Sequence, residues 1–365
     1  MGAPFKRVGV LTAGGDCPGL NAVIRAVTKS LIQKFDIEVV GIKDGFQGLI
    51  DKRAQMLSSN DVSGILTQGG TILGTSNKAN PFKYIVDEDG ETRVEDVSDL
   101  VIENADKMGL EALITIGGDG THSIAHRLAL KGMHVVGVPK TIDNDLRETD
   151  LTFGHDTAVA IATDAVDRIH TTAISHHRVM VIETMGRNAG WIALNAGIAG
   201  GGDIILIPEI PYTLEAICRK IADRKANGRH FSIIVAAEGA VPVGGKPVGK
   251  THAADPSMPF RLGGVGQKVA DDVENATGIA TRVTVLGHLQ RGGTPTAFDR
   301  ILATRFGAFA ADMIAAGEHG KMVALKGSEI KSVPIEAAVV GPKLIDPDSK
   351  LVQAARAVGT SFGND

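Results

Sequence analysis

At 365 residues the chain is long enough for about two compact domains or one large α/β unit. Its composition, 43% hydrophobic and 22% charged with only 4% aromatic, is that of a folded protein whose core rests on Ile, Val, Leu and Ala. A formal charge of −4 gives no reason to expect nucleic acid or an anionic membrane as partner, and no apolar run is long enough to span a bilayer. Cys17 and Cys218 stand far apart at no metal-ligand spacing, and "MGAPFKRVGV" lacks a signal-type apolar region. A soluble cytoplasmic protein is the expectation.

In chain order, "RVGVLTAGGD" reads as a short strand ending in a Gly-rich turn, and "NAVIRAVTKSLI" as a helix with Asn21 near its start. "PFKYIVDEDGETRVEDVSD" is a polar, acidic surface excursion. "ALITIGGDGTHSIAHRLAL" repeats the strand, turn and helix, with the helix opening near Thr121, and "HVVGVPKTIDND" is a third strand ending in a polar loop. "RVMVIETMGRNAGWIALNAGIA", "IILIPE" and "FSIIVAAEGA" add further units. "VPVGGKPVGKTHAADPSMPFRLGG" is a Gly- and Pro-rich insertion, and "LVQAARAVGTSFGND" a short helix with a frayed end. Apolar strands alternating with helices imply parallel sheets covered on both faces, with ligands held at the carboxyl ends of the strands.

The insertion holds a decoy. "GGKPVGKT", residues 244–251, has P-loop spacing, but the next residues, "HAADPSMPF", contain two prolines and show no helical periodicity. "GGDGT", residues 117–121, is a better phosphate turn: its glycines let backbone approach a ligand, and the next helix offers free amides. Asp119 there suits Mg²⁺, which favours a few carboxylates plus phosphate oxygens; the same residues also fit a tight turn with Asp as helix cap. In "PKTIDND", residues 139–145, an extended chain would project Asp143 and Asp145 to one side, favouring a proton acceptor for a hydroxyl nucleophile. An Asx-type turn is the alternative. Arg178, Arg187, Arg282, His288 and Arg291 sit at strand ends or in Gly-containing loops, where guanidinium groups suit a phosphate monoester and where solvated arginines are also common. His176 and His177, adjacent in sequence, point apart and suggest no zinc.

Taken together, "GVLTAGGDCPGLNAVIR", "GGDGT", "PKTIDND", "ETMGRNAG", "AAEG" and "VLGHLQRGGTPTAFDRILA" resemble the 6-phosphofructokinase family over nearly the whole chain, in family order. "GGDGT" alone also resembles NAD and diacylglycerol kinases, which lack the rest of the set. The resemblance implies an α/β fold of two Rossmann-like parallel or mixed sheets sandwiched by helices, with the active site in the cleft between them. Residues 1–150 would form the donor-binding domain, 151–320 the sugar-phosphate domain, and 321–365 a segment packing back on both. It implies transfer of a phosphoryl group from ATP, with Mg²⁺ on Asp119, to fructose 6-phosphate. Asp143 would be the base, supported by Thr141, Asp145 and Arg187. Gly15, Asn77, Lys78, Gly118, Asp119, Gly120, Thr121 and Lys140 would hold the donor. Thr141, Asp143, Met185, Gly186, Arg187, Glu238, His288 and Arg291 would hold the sugar phosphate. Arg178 and Arg282 match family arginines that reach across from a neighbouring subunit, which implies a homo-oligomer, dimer or tetramer, with shared active sites.

Two departures stand out. Short ATP-using members carry an arginine after "LGSA"; here "LGTSNK" puts Asn77 in its place with Lys78 beside it. Pyrophosphate users resemble "GGDD" with "PKTIDND" and short ATP users "GGDG" with "PGTIDND", so Gly120 matches one pattern and Lys140 the other. Aspartate at 120 would put bulk and charge where a nucleotide α-phosphate must lie, whereas Lys140 only adds a cation. ATP is therefore the expected donor, with pyrophosphate the alternative.

Overall fold

A computed structural model describes residues 4–88, 91–251 and 260–365. The first half of the chain forms β1 (Arg7–Thr12), α1 (Leu20–Phe35), β2 (Glu38–Ile42), α2 (Phe46–Ile50), β3 (Ala54–Leu57), β4 (Tyr84–Glu88), β5 (Glu91–Glu95), α3 (Ser98–Lys107), β6 (Ala112–Gly117), α4 (Asp119–Leu130) and β7 (Val135–Pro139). Next come α5 (His155–His176), β8 (Val179–Thr184), α6 (Trp191–Ala199), β9 (Ile204–Leu206), α7 (Leu214–Ala226), β10 (Ser232–Ala237), β11 (Gly249–Thr251), β12 (Phe260–Leu262), α8 (Val265–Thr277) and β13 (Thr281–Val285). The last elements are α9 (Ala297–Ala315), β14 (Lys321–Lys326), β15 (Glu329–Pro334), α10 (Ile335–Ala338) and α11 (Lys350–Ala357).

The chain divides into two compact units. Unit 1 comprises residues 1–141, 146–154 and 291–342. Its sheet runs β15-β14-β7-β6-β1-β2-β3, parallel from β14 to β2 and closed at each edge by an antiparallel strand. The central strands are apolar runs buried on both faces: Val10 lies beside Ile114, and Ile114 beside Val136, all without exposed surface. Parallel neighbours need a crossover, and α1 and α4 supply it after β1 and β6. Residues 291–320, which the resemblance groups with the second domain, pack in unit 1, where α9 lies against α1.

Unit 2 comprises residues 142–145, 155–290 and 343–365. Its sheet, β13-β8-β10-β9, is parallel throughout and is cored by Val181, Ile204, Leu206 and Ile234 with Val269 and Val273 of α8. The frayed end expected after α11 does not form. Phe362 is fully buried, the Ser361 amide donates to Asp203 O (3.1 Å), and its carbonyl accepts from the Ile205 amide (2.9 Å). The exposed edge of β9 thereby gains partners, which an edge strand otherwise lacks.

The acidic excursion is the antiparallel pair β4–β5. Lys250 and Thr251 of the P-loop look-alike lie in β11, paired with β12, so no helix starts there. Residues 252–259 of that insertion lie outside the described residues. No helix among the described residues is long and apolar enough to cross a membrane.

Candidate active site

In unit 1 the two Gly-Gly-Asp turns leave adjacent parallel strands, β1 and β6, at their carboxyl ends. The first is clasped by residues 74–76. The Gly14 amide donates to Ser76 O (3.1 Å), Thr75 Oγ1 donates to Gly14 O (2.6 Å), and Thr12 Oγ1 donates to Gly74 O (2.7 Å). Asn77 and Lys78, both exposed, come directly after this clasp. Thr75 was not singled out from the sequence; the polar run "GTS" after a leucine was its only signal.

Gly15 has a neighbour that the sequence did not reveal. The Arg291 guanidinium donates from Nη1 to Asp16 O (3.0 Å), and a Cβ at Gly15 would stand 2.7 Å from that nitrogen. A side chain at position 15 would therefore displace the Arg291 guanidinium from this place. Arg291, expected on the sugar phosphate, belongs to unit 1 and packs on this turn.

The second turn starts α4 at Asp119, with Gly118 as its N-cap and no side-chain cap. Asp119 thus contributes a charge to the first turn rather than a cap, and both Asp119 and Gly120 are exposed. A Cβ at Gly120 would meet nothing within 4 Å, so the fold itself leaves that position open. Thr121 is buried against the Gly117 backbone. No group of three or more His, Cys, Asp or Glu side chains suited to a metal occurs among the described residues. A single exposed carboxylate is a ligand Mg²⁺ accepts when phosphate oxygens and water complete its shell, and the free amides at the start of α4 suit the phosphate rather than the metal.

Lys140 comes directly after β7. Its amide donates to Gly117 O (2.9 Å), and its buried ammonium donates to Gly15 O. One lysine therefore ties the end of β7 to both Gly-rich turns. Thr141, also buried, offers its carbonyl to Thr152 Oγ1 (2.7 Å).

Unit 2 gathers the remaining residues in two groups. At the carboxyl ends of β8, β10 and β13 stand Met185, Gly186 and Arg187, then Glu238, then His288 in a short 3₁₀ turn. Gly186 has φ 139°, and a Cβ there would lie 2.5 Å from Ala189 O, so only glycine fits this corner. It turns the chain so that the Arg187 amide donates to Glu238 Oε1 (3.0 Å) while Arg187 Nε stands 4.0 Å from Asp143 Oδ2. Burial pushes the Glu238 carboxyl above its ordinary range; the Arg187 amide opposes this, and the Asp143 and Glu183 charges add to it.

Asp143 is buried and Asp145 half-buried, but the extended chain expected between them is not what forms. Asn144 lies in the left-handed region at φ 51°, so the alternation of a strand does not apply. The segment is bent, and the Asp145 carbonyl accepts from the Lys343 amide (2.7 Å).

Arg178 and Arg282 form the second group, at the opposite ends of the same strands. Arg178 immediately precedes β8, and Arg282 pairs with Met180 at the start of that strand. Arg282 is exposed and 3.6 Å from Glu274.

Comparison with known proteins places this arrangement. The family model described as phosphofructokinase matches residues 7–314. The ATP-dependent 6-phosphofructokinase 2 of Clostridium perfringens is 50% identical over 366 aligned residues, covering all of both chains. The pyrophosphate–fructose 6-phosphate 1-phosphotransferase of Streptomyces coelicolor is 51% identical over 342 residues, 93% of this chain and 96% of its own. The crystal structure of Pichia pastoris phosphofructokinase in the T-state matches with a TM-score of 0.79 and 32% identity over 97% of this chain, which spans 39% of that longer one. The chain belongs to the phosphofructokinase family.

Proposed function

We propose that this enzyme transfers the γ-phosphoryl group of ATP to the 1-hydroxyl of fructose 6-phosphate, giving fructose 1,6-bisphosphate, the glycolytic reaction. The full-length 50% identity to a relative named for ATP carries this reading. Asp143 takes the hydroxyl proton as the oxygen attacks phosphorus, with Thr141 and Asp145 supporting it and Arg187, at 4.0 Å, facing the same carboxylate. Gly15, Asn77, Lys78, Gly118, Asp119, Gly120, Thr121 and Lys140 hold the donor. Met185, Gly186, Glu238 and His288 serve the sugar phosphate, and Arg291 would join them on leaving the Asp16 carbonyl it now bonds. Mg²⁺ on Asp119 would neutralise phosphate charge, the larger part of what phosphoryl transfer requires. Cys17 and Cys218 are both free thiols, which suits a reducing cytoplasm.

Gly120 supports ATP. The fold leaves its side-chain space open beside the first amides of α4, which is room a longer donor needs. Pyrophosphate is the second reading, favoured by the Streptomyces relative and by Lys140. With the Lys140 ammonium donating to Gly15 O, the lysine has a part in holding the turn that serves either donor.

Arg178 and Arg282, at the ends of β8 and β13 away from Arg187 and Glu238, suit the active site of a neighbouring copy. The enzyme then works as a homo-oligomer with shared sites. The test of the reaction is product analysis by ³¹P NMR after mixing with ATP, Mg²⁺ and fructose 6-phosphate. Fructose 1,6-bisphosphate and ADP in equal amounts are expected; hydrolysis of ATP without sugar phosphorylation would refute the assignment.

A further inference from the structure

His155, the first residue of α5, is buried and takes no part in the proposed reaction. Its Nδ1 lies 2.7 Å from Ile142 O, and its Nε2 lies 3.1 Å from Asn195 Nδ2. A carbonyl only accepts and an amide nitrogen only donates, so these two bonds specify one form: proton on Nδ1, lone pair on Nε2. The opposite amide orientation would demand an imidazolium. Burial disfavours that charge and pushes the His155 pKa down to about 4.

The Ile142 carbonyl belongs to the peptide group whose nitrogen is that of Asp143. Holding it fixes the plane from which Asp143 departs. The far side of Asp143 is held as well: the Lys343 amide donates to Asp145 O (2.7 Å) and Lys343 Nζ donates to Asn144 Oδ1 (3.0 Å). One helix backs both holds. On α6, Trp191 Nε1 donates to Lys343 O (2.9 Å) and Asn195 donates to His155, four residues apart and therefore on one face.

We propose that His155 is a positioning residue: its Nδ1–H, oriented by Asn195, fixes the peptide plane that carries Asp143 and so sets the carboxylate for proton removal. This rests on the reading of Asp143 as the base. The segment is bent, with Asn144 left-handed, so its place depends on contacts such as these rather than on strand alternation.

The test compares His155→Phe, which fills the space without a donor, with His155→Asn, which sets an amide N–H near the place of Nδ1. In the full-length enzyme His155→Phe should lower kcat by about 10- to 100-fold, the scale of misplacing a reacting group. KM for both substrates should stay within about threefold, and His155→Asn should recover most of the loss. A folded His155→Phe enzyme with wild-type kcat would overturn the proposal, as would a loss that His155→Asn does not rescue. Independently of folding in the variants, ¹⁵N-histidine spectra of the wild type should show the Nδ1–H tautomer at neutral pH; an Nε2–H ring would overturn it. Asp143→Asn, assayed alongside, separates the two ideas: full turnover there refutes the base, whereas an inactive Asp143→Asn with an unaffected His155→Phe refutes only the positioning role.

Discussion

Asp143 and Gly120 show what single residues decide in this enzyme. If Asp143 accepts the hydroxyl proton, Asp143→Asn should lower kcat by about 10²- to 10⁴-fold with little change in cooperative unfolding. A loss under tenfold would move the base elsewhere. At position 120 the fold tolerates a side chain, since a Cβ there touches nothing within 4 Å. Gly120→Asp should therefore fold normally yet lose at least about tenfold in kcat/KM for ATP, more than for pyrophosphate, through bulk and like charge at the phosphates. Equal losses with both donors would contradict the steric argument. Much of this was legible in the sequence, because glycines and carboxylates at strand ends carry their chemistry in their identity. Arg291 was not. Its approach to Gly15 depends on α9 and its preceding loop returning to unit 1, which no local pattern announces. The bend at Asn144 stood in the sequence only as the alternative Asx-type turn, since asparagine is compatible with both extended and left-handed backbone.

At the scale of elements, the buried strands β1, β6, β7, β8 and β10 were readable because runs of β-branched residues bounded by glycine have few alternatives. The end of the chain was misread. "TSFGND" is polar and Gly-containing, and only the docked edge of β9 makes Phe362 a core residue. The pairing of α1 with α9 joins segments far apart in the chain and is likewise a tertiary fact. The weight of α9 in the core can be measured at Phe306, which is fully buried. Phe306→Ala should destabilise the protein by about 3–5 kcal/mol in urea unfolding. A change below about 1 kcal/mol would mean the cavity collapses and the contact contributes little.

For the whole molecule, two buried histidines set an acid limit. His122 and His155 are each pushed from 6.5 to about 4, mainly by burial. The unfolded chain then binds protons that the native state refuses, so their contribution is complete above pH 6.5 and is lost as pH falls toward about 4. Stability measured across that window should fall as pH falls, and His122→Gln should flatten the slope; a variant with the wild-type slope would show that His122 titrates alike in both states. The proposed homo-oligomer can be tested by mixing two variants expected to be inactive, Arg187→Ala and Arg282→Ala, under subunit exchange. If Arg282 serves its neighbour's site, each mixed dimer regains one intact site, roughly a quarter of all sites at equal mixing; no recovery with verified exchange would place Arg282 outside the shared site. The central claim is the reaction and its donor. Its most direct measurement is the initial rate of fructose 1,6-bisphosphate formation by the wild-type enzyme with Mg²⁺, comparing ATP with pyrophosphate at matched concentrations. Turnover with ATP, at least about tenfold above that with pyrophosphate, is the predicted result. A rate with pyrophosphate equal to or above that with ATP would contradict the account and make Lys140 the residue that sets the donor.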